Sequence, residues 1–417
     1  MVIMGMQARK EYRGVVRERY WKARSKKEKT RLLDEYCANT GHARKYAIRR
    51  LGARDNPDEK RRKRRKPVYD GEVTAALARI WEVFDYACGQ RLKPLVEIET
   101  DRLRAFGELS VSDEVASKLK RMSAATIDRK LKQQKEALRL VWSKGGHKPG
   151  SALKQKIAVR LTEWDTATVG YIEADLVFHC GASTVGEHAC TVSATDVSSG
   201  WWEGEPIMGK CQDRCFRALK EIRRRCPFVW KGLDCDNGGE FINDVLYKYC
   251  AREKLEFTRS RPGHKNDNAY IEEKNWTHVR KVLGYLRYDT AEEVSIIRDV
   301  YRHELRLYKN FFQPVMKLVR KDRIGGSIKR RYGTPMTPYQ NLTHSGQLGK
   351  HAEEQLRQTY LSLNPAALKR EIDAKVNRLI QIHEAKNGVP GTRLHRHITP
   401  RTVTSFMIQQ APVGLPL

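Results

Sequence analysis

Three acidic residues stand where carboxylates can hold a metal ion. Asp175 lies in an apolar, strand-like segment, Asp236 follows another such segment in the run DCDNGGEF, and Glu272 follows the polar loop PGHKNDNA. Sixty residues separate Asp175 from Asp236, and 35 separate Asp236 from Glu272. Carboxylate oxygens are the hard ligands that Mg²⁺ takes in proteins, so this trio is a candidate site for metal-assisted chemistry.

A segment without basic residues surrounds the first of these acids. From Leu161 to Gly209 there is no Lys or Arg, although 80 of the 417 residues are Lys or Arg. The segment holds eight acids: Glu163, Asp165, Glu173, Asp175, Glu187, Asp196, Glu203 and Glu205. Two interpretations stay open. Either these carboxylates bind a metal ion in place of a basic side chain, or the segment is a sheet core from which lysine is excluded.

The charge of the whole chain points to a polyanionic partner. The formal net charge is +30, and residues 1–150 alone carry 38 basic against 20 acidic residues. So much positive charge opposes compaction and is typical of proteins that bind nucleic acid. Because 40% of the residues are hydrophobic, the chain also has enough apolar side chains to fold, which excludes a wholly disordered basic tail.

The composition argues against a membrane protein and against a cysteine scaffold. No apolar run approaches the length of a membrane span, and Met1–Met6 is too short for the core of a signal peptide, so we expect a cytoplasmic, nucleoid-associated protein without a membrane partner. The nine cysteines include no Cys-x-x-Cys pair, so neither disulfides nor a zinc ribbon is expected. Cys211 with Cys215, and His188 with Cys190, are better explained as packed side chains than as metal ligands.

The N-terminal third predicts two helix-turn-helix units. In the first, Gly41 separates a helix over 31–39 from a basic helix over 42–51. The basic helix supplies the candidate DNA contacts Arg44, Lys45 and Arg49.

In the second unit, Ser112 caps the helix DEVASKLK and Ser123 caps AATIDRKLKQQ, which supplies Arg129 and Lys130 as candidate DNA contacts. Any helical hairpin gives the same pattern, so that alternative stays open for each unit.

Seven consecutive cations lie between the two units. They are Lys60, Arg61, Arg62, Lys63, Arg64, Arg65 and Lys66. Such a run cannot pack in a core, so it predicts a solvated linker that lies along phosphates or enters a minor groove. A nonspecific tether is the alternative.

After Thr168 the pattern predicts alternating strands and helices. The expected elements are strands over 171–180, 188–197 and 201–208, a helix over 211–225, a strand over 228–233, a helix over 241–254, a strand over 255–261 and a long helix over 269–287. This order is that of the ribonuclease-H-like fold, a mixed five-stranded sheet with helices.

The acidic motifs resemble those of one enzyme superfamily. YIEAD, LDCDNGGEF and RPGHKNDNAYIEEKNW are similar, in order, to the three motif regions of the DDE integrase core shared by bacterial insertion-sequence transposases and retroviral integrases. VRKVLGYLRYDT, NFFQPVMKLVRK and RRYGTPMTPYQNL resemble the tail of the bacterial enzymes, and the resemblance covers residues 30–345. The chain departs from the retroviral pattern because it has no His/His/Cys/Cys zinc module, so the helix-turn-helix units are expected to recognise DNA ends.

The resemblance implies that Asp175, Asp236 and Glu272 are the catalytic and metal-binding residues. Asp175 would bridge two Mg²⁺ ions, for which Mn²⁺ is a possible substitute, and each of the other acids would hold one ion. The implied activity is cleavage of 3′ ends and strand transfer by an oligomer bound to paired transposon ends and to target double-stranded DNA. Three neighbouring acids leave the ligand assignment open: Glu173, Asp234 and Glu273.

Two other function classes stay open. A ribonuclease-H-type nuclease would use the same acids without strand transfer, and a catalytically silent DNA-binding regulator would keep only the N-terminal helices. The paired DNA-binding units argue against the first class, and the presence of all three acids argues against the second.

Helix geometry and residue type suggest further roles near the acids. At about 100° per residue, Glu272 falls on an apolar seam with Trp276 and Leu283, whereas Glu273 falls on a flank where a carboxylate is solvated or pairs with a cation. Asn275 and Arg280 on this helix are candidate DNA contacts.

Three more side chains have two interpretations each. His179 either orients substrate or is a hydrogen-bonded structural residue. Trp201 and Trp202 either stack on bases or pack at a strand edge, and packing is favoured.

The whole chain is therefore expected to have an all-α N-terminal region, a central α/β ribonuclease-H-like domain and a basic, partly helical C-terminal region. The expected segments are 1–56 (helix-turn-helix), 57–67 (basic linker), 68–150 (second helix-turn-helix region), 160–290 (catalytic core), 291–387 (basic C-terminal region) and 388–417 (flexible tail). In the C-terminal region, Thr290–Glu293 and Asn364 begin helices, and 320–331 forms either a small β-barrel or an extended DNA-contacting arm.

Overall fold

A computed structural model describes residues 6–53, 68–139, 166–235, 241, 243–260, 268–324 and 327–388. The chain divides into two compact units, Met1–Val68 and Tyr69–Leu417. None of the described helices is long and apolar enough to cross a membrane. The basic run Lys60–Lys66, Asp236 and the expected tail beyond residue 388 lie outside the described residues.

The first unit is a bundle of three helices: α1 (Met6–Lys22), α2 (Lys26–Thr40) and α3 (Arg44–Gly52). The Ser25 hydroxyl accepts a hydrogen bond from the backbone N–H of Glu28 and so caps α2. Gly41 ends α2 in the left-handed conformation at φ 69°, which glycine adopts without steric cost. The helices enclose a small core of Val16, Leu33, Tyr36, Ala47 and Leu51. The expected turn between two helices at Gly41 is confirmed.

The second unit begins with five helices: α4 (Gly71–Val83), α5 (Gly89–Ala105), α6 (Asp113–Lys120), α7 (Ala124–Lys130) and α8 (Lys132–Arg139). Ser112 and Ser123 cap α6 and α7 through bonds from the N–H groups of Val115 and Thr126, as expected. The predicted helix AATIDRKLKQQ is interrupted at Leu131, which is buried.

Helices α4, α5, α6 and α7 share one hydrophobic core with the C-terminal helices. That core contains Leu77 and Leu92 from the N-terminal side together with Phe311, Ile372 and Leu379 from the C-terminal side. A truncation at residue 150 would therefore remove part of the core that the rest of the unit needs.

The sheet has the order β3-β2-β1-β4-β5, and its strands are β1 (Tyr171–Phe178), β2 (Ala189–Asp196), β3 (Trp202–Met208), β4 (Gly232–Cys235) and β5 (Glu256–Arg259). Strands β1, β2 and β3 pair antiparallel, whereas β4 pairs parallel with β1 and β5 pairs parallel with β4. Helices α9 (Gln212–Arg225) and α10 (Asp244–Arg252) make the two crossovers. This is the expected ribonuclease-H-like arrangement, so the predicted fold class is confirmed.

Each face of the sheet has its own core. Ile172, Ala174 and Leu176 of β1 point to the face covered by α9 and α10. Val177 points to the other face, which packs in the same core as Val279 and Tyr301. Because side chains alternate along a strand, Glu173, Asp175 and His179 belong to the second face.

The helix that was expected to run over 269–287 is shorter and has three parts: α11 (Ala269–Lys274), a π-helical segment π1 (Asn275–Arg280) and α12 (Lys281–Leu283). It ends at Gly284, which has φ 74°. The predicted fourth strand was also misplaced, since β4 begins at Gly232 and not at Phe228. Four residues suffice for this strand because it is buried between β1 and β5.

The C-terminal region consists of α13 (Ala291–Val300), a π-helical segment π2 (Tyr301–Leu305), α14 (Arg306–Phe312), α15 (Pro338–Ser345), α16 (Lys350–Ser362) and α17 (Pro365–Asn387). The expected capping box of Thr290 with Glu293 and the expected cap at Asn364 are both present. Between α14 and α15 the chain forms a two-stranded hairpin of β6 (Leu318–Ile324) and β7 (Ser327–Tyr332). This hairpin stands where a small barrel or an extended arm was expected.

Candidate active site

Strand β1 places Asp175 on the face of the sheet that α11 and π1 cover. The Asp175 side chain is half-buried, and its Oδ2 accepts a hydrogen bond of 2.7 Å from the Asn275 amide. Its Oδ1 accepts a bond of 2.8 Å from the backbone N–H of Leu176. These bonds fix the orientation of the carboxylate.

A second carboxylate of β1 holds the start of the same helix. Glu173 is buried, and its Oε2 accepts a hydrogen bond of 3.0 Å from the backbone N–H of Ile271. That N–H is in the first turn of α11, where backbone donors lack helical partners and a negative charge is favourable. Glu173 therefore anchors α11, and Glu272 follows Ile271 immediately.

Glu272 lies between the two points at which the helix is tied to β1. It is flanked by Ile271, bonded to Glu173, and by Asn275, bonded to Asp175. Its side chain is exposed. The structure therefore brings Glu272 within one helical turn of the side chain that contacts Asp175.

Asp236 is not described, but its predecessor has a defined position. Cys235 is the last residue of β4 and pairs with Ala174, which immediately precedes Asp175. Both residues of this pair are buried, since Ala174 and Cys235 are 1% and 0% exposed.

The prediction that Glu272 lies on an apolar seam was wrong. The buried positions of this helix are Ile271, Lys274, His278, Val279, Val282 and Leu283, whereas Trp276 is 46% exposed. Two of the buried residues are polar, so a count of apolar positions chooses the wrong face. In addition, π1 bonds each residue to the fifth one along, which rotates the following residues away from the α-helical phase.

The expectation for Glu273 is confirmed. Its carboxylate forms an ion pair of 3.4 Å with Arg91 of α5, and its side chain is 45% exposed. This pair is a solvated contact, which contributes little to stability.

The ligand chemistry of this site fits Mg²⁺. Asp175 and Glu272 offer carboxylate oxygens, and the Asn275 Oδ1 is buried with no hydrogen-bond partner in the structure. A buried oxygen without a partner is costly unless something binds it, and a hard cation is one such ligand. Among the described residues, a set without Asp236, no group of three His, Cys, Asp or Glu is placed to hold a metal ion.

Two buried acids of the segment 161–209, which contains no Lys or Arg, pair with arginines from outside it. Glu203 and Glu205 are buried, and both accept hydrogen bonds from Arg225 of α9. Arg306 also bonds Glu203, and Arg302 bonds Glu205 at 2.7 Å. The interpretation that these acids await a metal was therefore wrong for Glu203 and Glu205, because arginines distant in sequence neutralise them.

His179 is a hydrogen-bonded structural residue, which is one of the two interpretations of the sequence. It is fully buried, and its Nε2 lies 2.8 Å from the Thr191 hydroxyl, which lies 3.0 Å from the Tyr301 hydroxyl. Burial lowers the pKa of His179 to about 3, with the charge of Arg280 acting in the same direction. The ring is therefore neutral at physiological pH.

Trp201 and Trp202 are both buried and pack against other side chains, which is the interpretation that the sequence favoured over base stacking. Trp202 donates a hydrogen bond of 2.9 Å from Nε1 to the Ser193 hydroxyl and contacts the rings of His278 and Tyr301. Trp201 is 2% exposed, so neither indole has a free face on which a base could stack.

The candidate DNA contacts of the first unit lie on α3. Lys45 is exposed, Arg49 is exposed and lies 5.6 Å from the Tyr46 ring, and Arg44 pairs with Asp34 of α2. The basic face of this helix is thus open to solvent.

The candidate DNA contacts of the second helix-turn-helix unit, Arg129 and Lys130, differ in their exposure. Arg129 is exposed, but the Lys130 Nζ donates a bond of 2.5 Å to the backbone carbonyl of Tyr69. Arg280 is half-buried above the ring of Tyr285, and burial lowers its pKa. Sequence reasoning assigned Asn275 to DNA and missed its contact with Asp175, although its position three residues after Glu272 is a usable signal.

A comparison of the sequence with known proteins finds a relative that aligns with most of the chain. The chain is 38% identical over 341 residues to the uncharacterized protein y4rM of Sinorhizobium fredii (strain NBRC 101917 / NGR234), an alignment that covers 80% of this chain and 95% of that protein. No protein-family model matches the chain.

Among solved structures, the catalytic core domain of BIV integrase is similar at 14% identity with a TM-score of 0.28, over 42% of this chain and 95% of that chain. The order and directions of the five strands define the ribonuclease-H-like arrangement independently of this comparison.

The buried neutral state of His179 predicts a pH dependence of stability. Its pKa is about 3 in the folded protein and about 6.5 in an unfolded chain, so between these values only the unfolded chain takes up the proton. Protonation of His179 in the unfolded chain therefore costs no stability well above pH 6.5, and the free energy of unfolding decreases as the pH falls below that value. From pH 7 to pH 5 the free energy of unfolding should lose about 2 kcal/mol through this residue.

Urea denaturation of the wild type and of His179→Gln at pH 7 and pH 5 measures this effect. The variant should lose less stability between the two pH values, whereas His351→Gln, which changes an exposed side chain, should behave as the wild type does. Equal losses in the wild type and His179→Gln would contradict the assignment.

Proposed function

We propose that this chain, which belongs to the same family as the y4rM protein of Sinorhizobium fredii, is a DDE transposase that cuts the 3′ ends of a transposon and joins them to target DNA. The observation that carries the proposal is the hydrogen bond between Asp175 and Asn275. It brings the first acid of the triad beside the helical turn that bears the third. A ribonuclease-H-like sheet with acids at these positions supports phosphodiester chemistry.

Asp236 completes the proposed triad through the register of the sheet. Strands β1 and β4 are parallel, Ala174 pairs with Cys235, and the residue that follows each of these two in the sequence is an aspartate. Consecutive Cα atoms are about 3.8 Å apart, which keeps Asp236 close to the end of β4. We infer that Asp175 and Asp236 share one site with Glu272.

The three carboxylates would hold two Mg²⁺ ions, which activate the attacking oxygen and stabilise the leaving oxygen of an in-line displacement. The protein's own task is to orient the ligands. Asn275 fixes one oxygen of Asp175, and Glu173 fixes the start of α11 and thereby Glu272. A neutral His179 behind Asp175 adds no positive charge that would repel a cation.

Recognition of transposon ends is assigned to the basic helices. In the first unit, α3 presents Lys45 and Arg49 to solvent in a helix-turn-helix arrangement, which suits the major groove of duplex DNA. The basic run Lys60–Lys66 follows and would add phosphate contacts. We propose that two or more copies act together on paired ends in the cytoplasm, at the nucleoid.

The triad predicts which carboxylates are needed for chemistry. Asp175→Asn, Asp236→Asn and Glu272→Gln should each abolish Mg²⁺-dependent cleavage and joining, because the amide keeps the shape but loses the charge that holds the ion. DNA binding should remain. The measurement is a gel assay that separates nicked from joined products, with DNA that carries the flanking ends of the gene.

Glu273→Gln is the matched control. It removes an adjacent carboxylate whose partner is Arg91, so most of the activity should remain. Loss of joining in Glu273→Gln with retention in Glu272→Gln would show that the triad is misassigned. Cleavage without any joined product would favour the ribonuclease-H-type nuclease, and intact binding without either product would favour the silent regulator.

Recognition by α3 predicts a loss of specific binding without loss of fold. The double variant Lys45→Gln with Arg49→Gln removes two exposed cations from this helix. If each contacts a phosphate or a base, the slope of log K against log salt should become shallower by up to about 1.8. Preference for end DNA over random DNA should fall.

Arg19→Gln with Lys22→Gln removes the same charge from α1, where both side chains already pair with glutamates. This control should change the salt slope less. Unchanged preference for end DNA in the α3 variant would show that recognition resides elsewhere. Point variants are preferred to removal of residues 1–150, since α4–α7 contribute to the core of the second unit.

A further inference from the structure

The hairpin of β6 and β7 is a basic ribbon on a fixed base. At its base, Val315 and Met336 exchange backbone hydrogen bonds of 2.8 and 3.2 Å, and the Gly333 N–H donates to the Lys317 carbonyl at 2.9 Å. Beyond this base, Val319 and Tyr332 are 72% and 50% exposed. The ribbon therefore stands out from the body with its backbone direction set.

Like charges face each other across this ribbon. Arg320 is paired in register with Arg331, and Lys321 with Arg330. Cations directly opposite each other destabilise an antiparallel pair. Between Leu318 and Tyr332 there are six basic residues and one acid, Asp322.

Asp322 compensates only part of this charge. Its carboxylate pairs with Arg320 and, at 3.4 Å, with Arg331. Arg323, Lys329 and Arg330 are exposed, and the ion pairs of Asp322 involve none of them, although Asp322 is opposite Lys329 in the strand register. A surface that keeps such repulsion uncompensated is suited to a polyanion.

We infer that the β6–β7 hairpin binds the backbone of duplex DNA as a two-stranded ribbon, an inference that rests on the proposed function for the identity of the nucleic acid. The major groove of B-form DNA is about 12 Å wide and admits a two-stranded β-ribbon. The major groove of duplex RNA is deep and narrow and does not admit side chains. The geometry therefore favours DNA, and the contact is separate from both α3 and the triad.

The test is the salt dependence of binding to a random-sequence DNA duplex. Lys329→Gln with Arg330→Gln removes two exposed cations of the hairpin, so the slope of log K against log salt should become shallower by about 1.8, and affinity at physiological salt should fall about tenfold. Lys350→Gln with Arg378→Gln removes the same charge from α16 and α17 and should leave slope and affinity nearly unchanged.

Hydrogen exchange of the free protein separates a binding role from a structural one. In the strand register Lys329 is opposite Asp322 and Arg330 is opposite Lys321, so the double variant removes one attractive and one repulsive cross-strand pairing, and amide exchange in β6 and β7 should stay about as slow as in the wild type. Faster exchange with weaker binding would show that these cations only hold the hairpin together, and would overturn the inference.

The remaining outcomes are equally decisive. Unchanged DNA affinity and slope would overturn the inference, as would an equal loss of affinity for an RNA duplex of the same length. The readout needs no catalysis. If the wild type fails to join DNA while the hairpin variant still loses DNA affinity, the proposed transposase function fails and the DNA contact stands.

Discussion

The contact between strand β1 and helix α11 is the constraint on which the rest of the site depends. Two carboxylates of one strand accept hydrogen bonds from two residues of one helix, Glu173 from the Ile271 N–H and Asp175 from the Asn275 amide. Glu272 lies between these two attachment points. Together with the buried side chains of Ile271 and Val279, these bonds fix the position of the solvent-exposed Glu272 relative to the sheet. The strand therefore both supplies the first acid and positions the third.

The far edge of the same sheet shows how a strongly basic chain neutralises its buried acids. Glu203 and Glu205 on β3 accept hydrogen bonds from Arg225, Arg302 and Arg306. Removing one member of such a buried group leaves an uncompensated charge, which is strongly destabilising. The arginines come from α9, π2 and α14, so these bonds also attach the C-terminal helices to the sheet. Glu203 and Glu205 are thus paired with cations and serve a structural role.

Much of the fold follows from local signals. The caps at Ser112, Ser123 and Asn364 mark helix starts because a side-chain oxygen satisfies backbone donors one turn ahead. The order of strands and helices predicts the ribonuclease-H-like sheet because alternation and spacing are local properties. The face of α11 could not be predicted, since Lys274 and His278 are buried although polar, and a π-helical segment changes the phase. The partners of Glu203 lie as far as 103 residues away, and no local pattern indicates them.

The proposed chemistry requires Asp175, Asp236 and Glu272 to form one metal site. Crystals of the full chain soaked in Mn²⁺ are a direct test, because Mn²⁺ takes the oxygen ligands that Mg²⁺ takes and gives an anomalous signal. We expect Mn²⁺ bound by carboxylate oxygens of Asp175 and of at least one of the other two acids. Mn²⁺ bound to other acids, with no carboxylate oxygen of Asp175 among its ligands, would contradict this assignment.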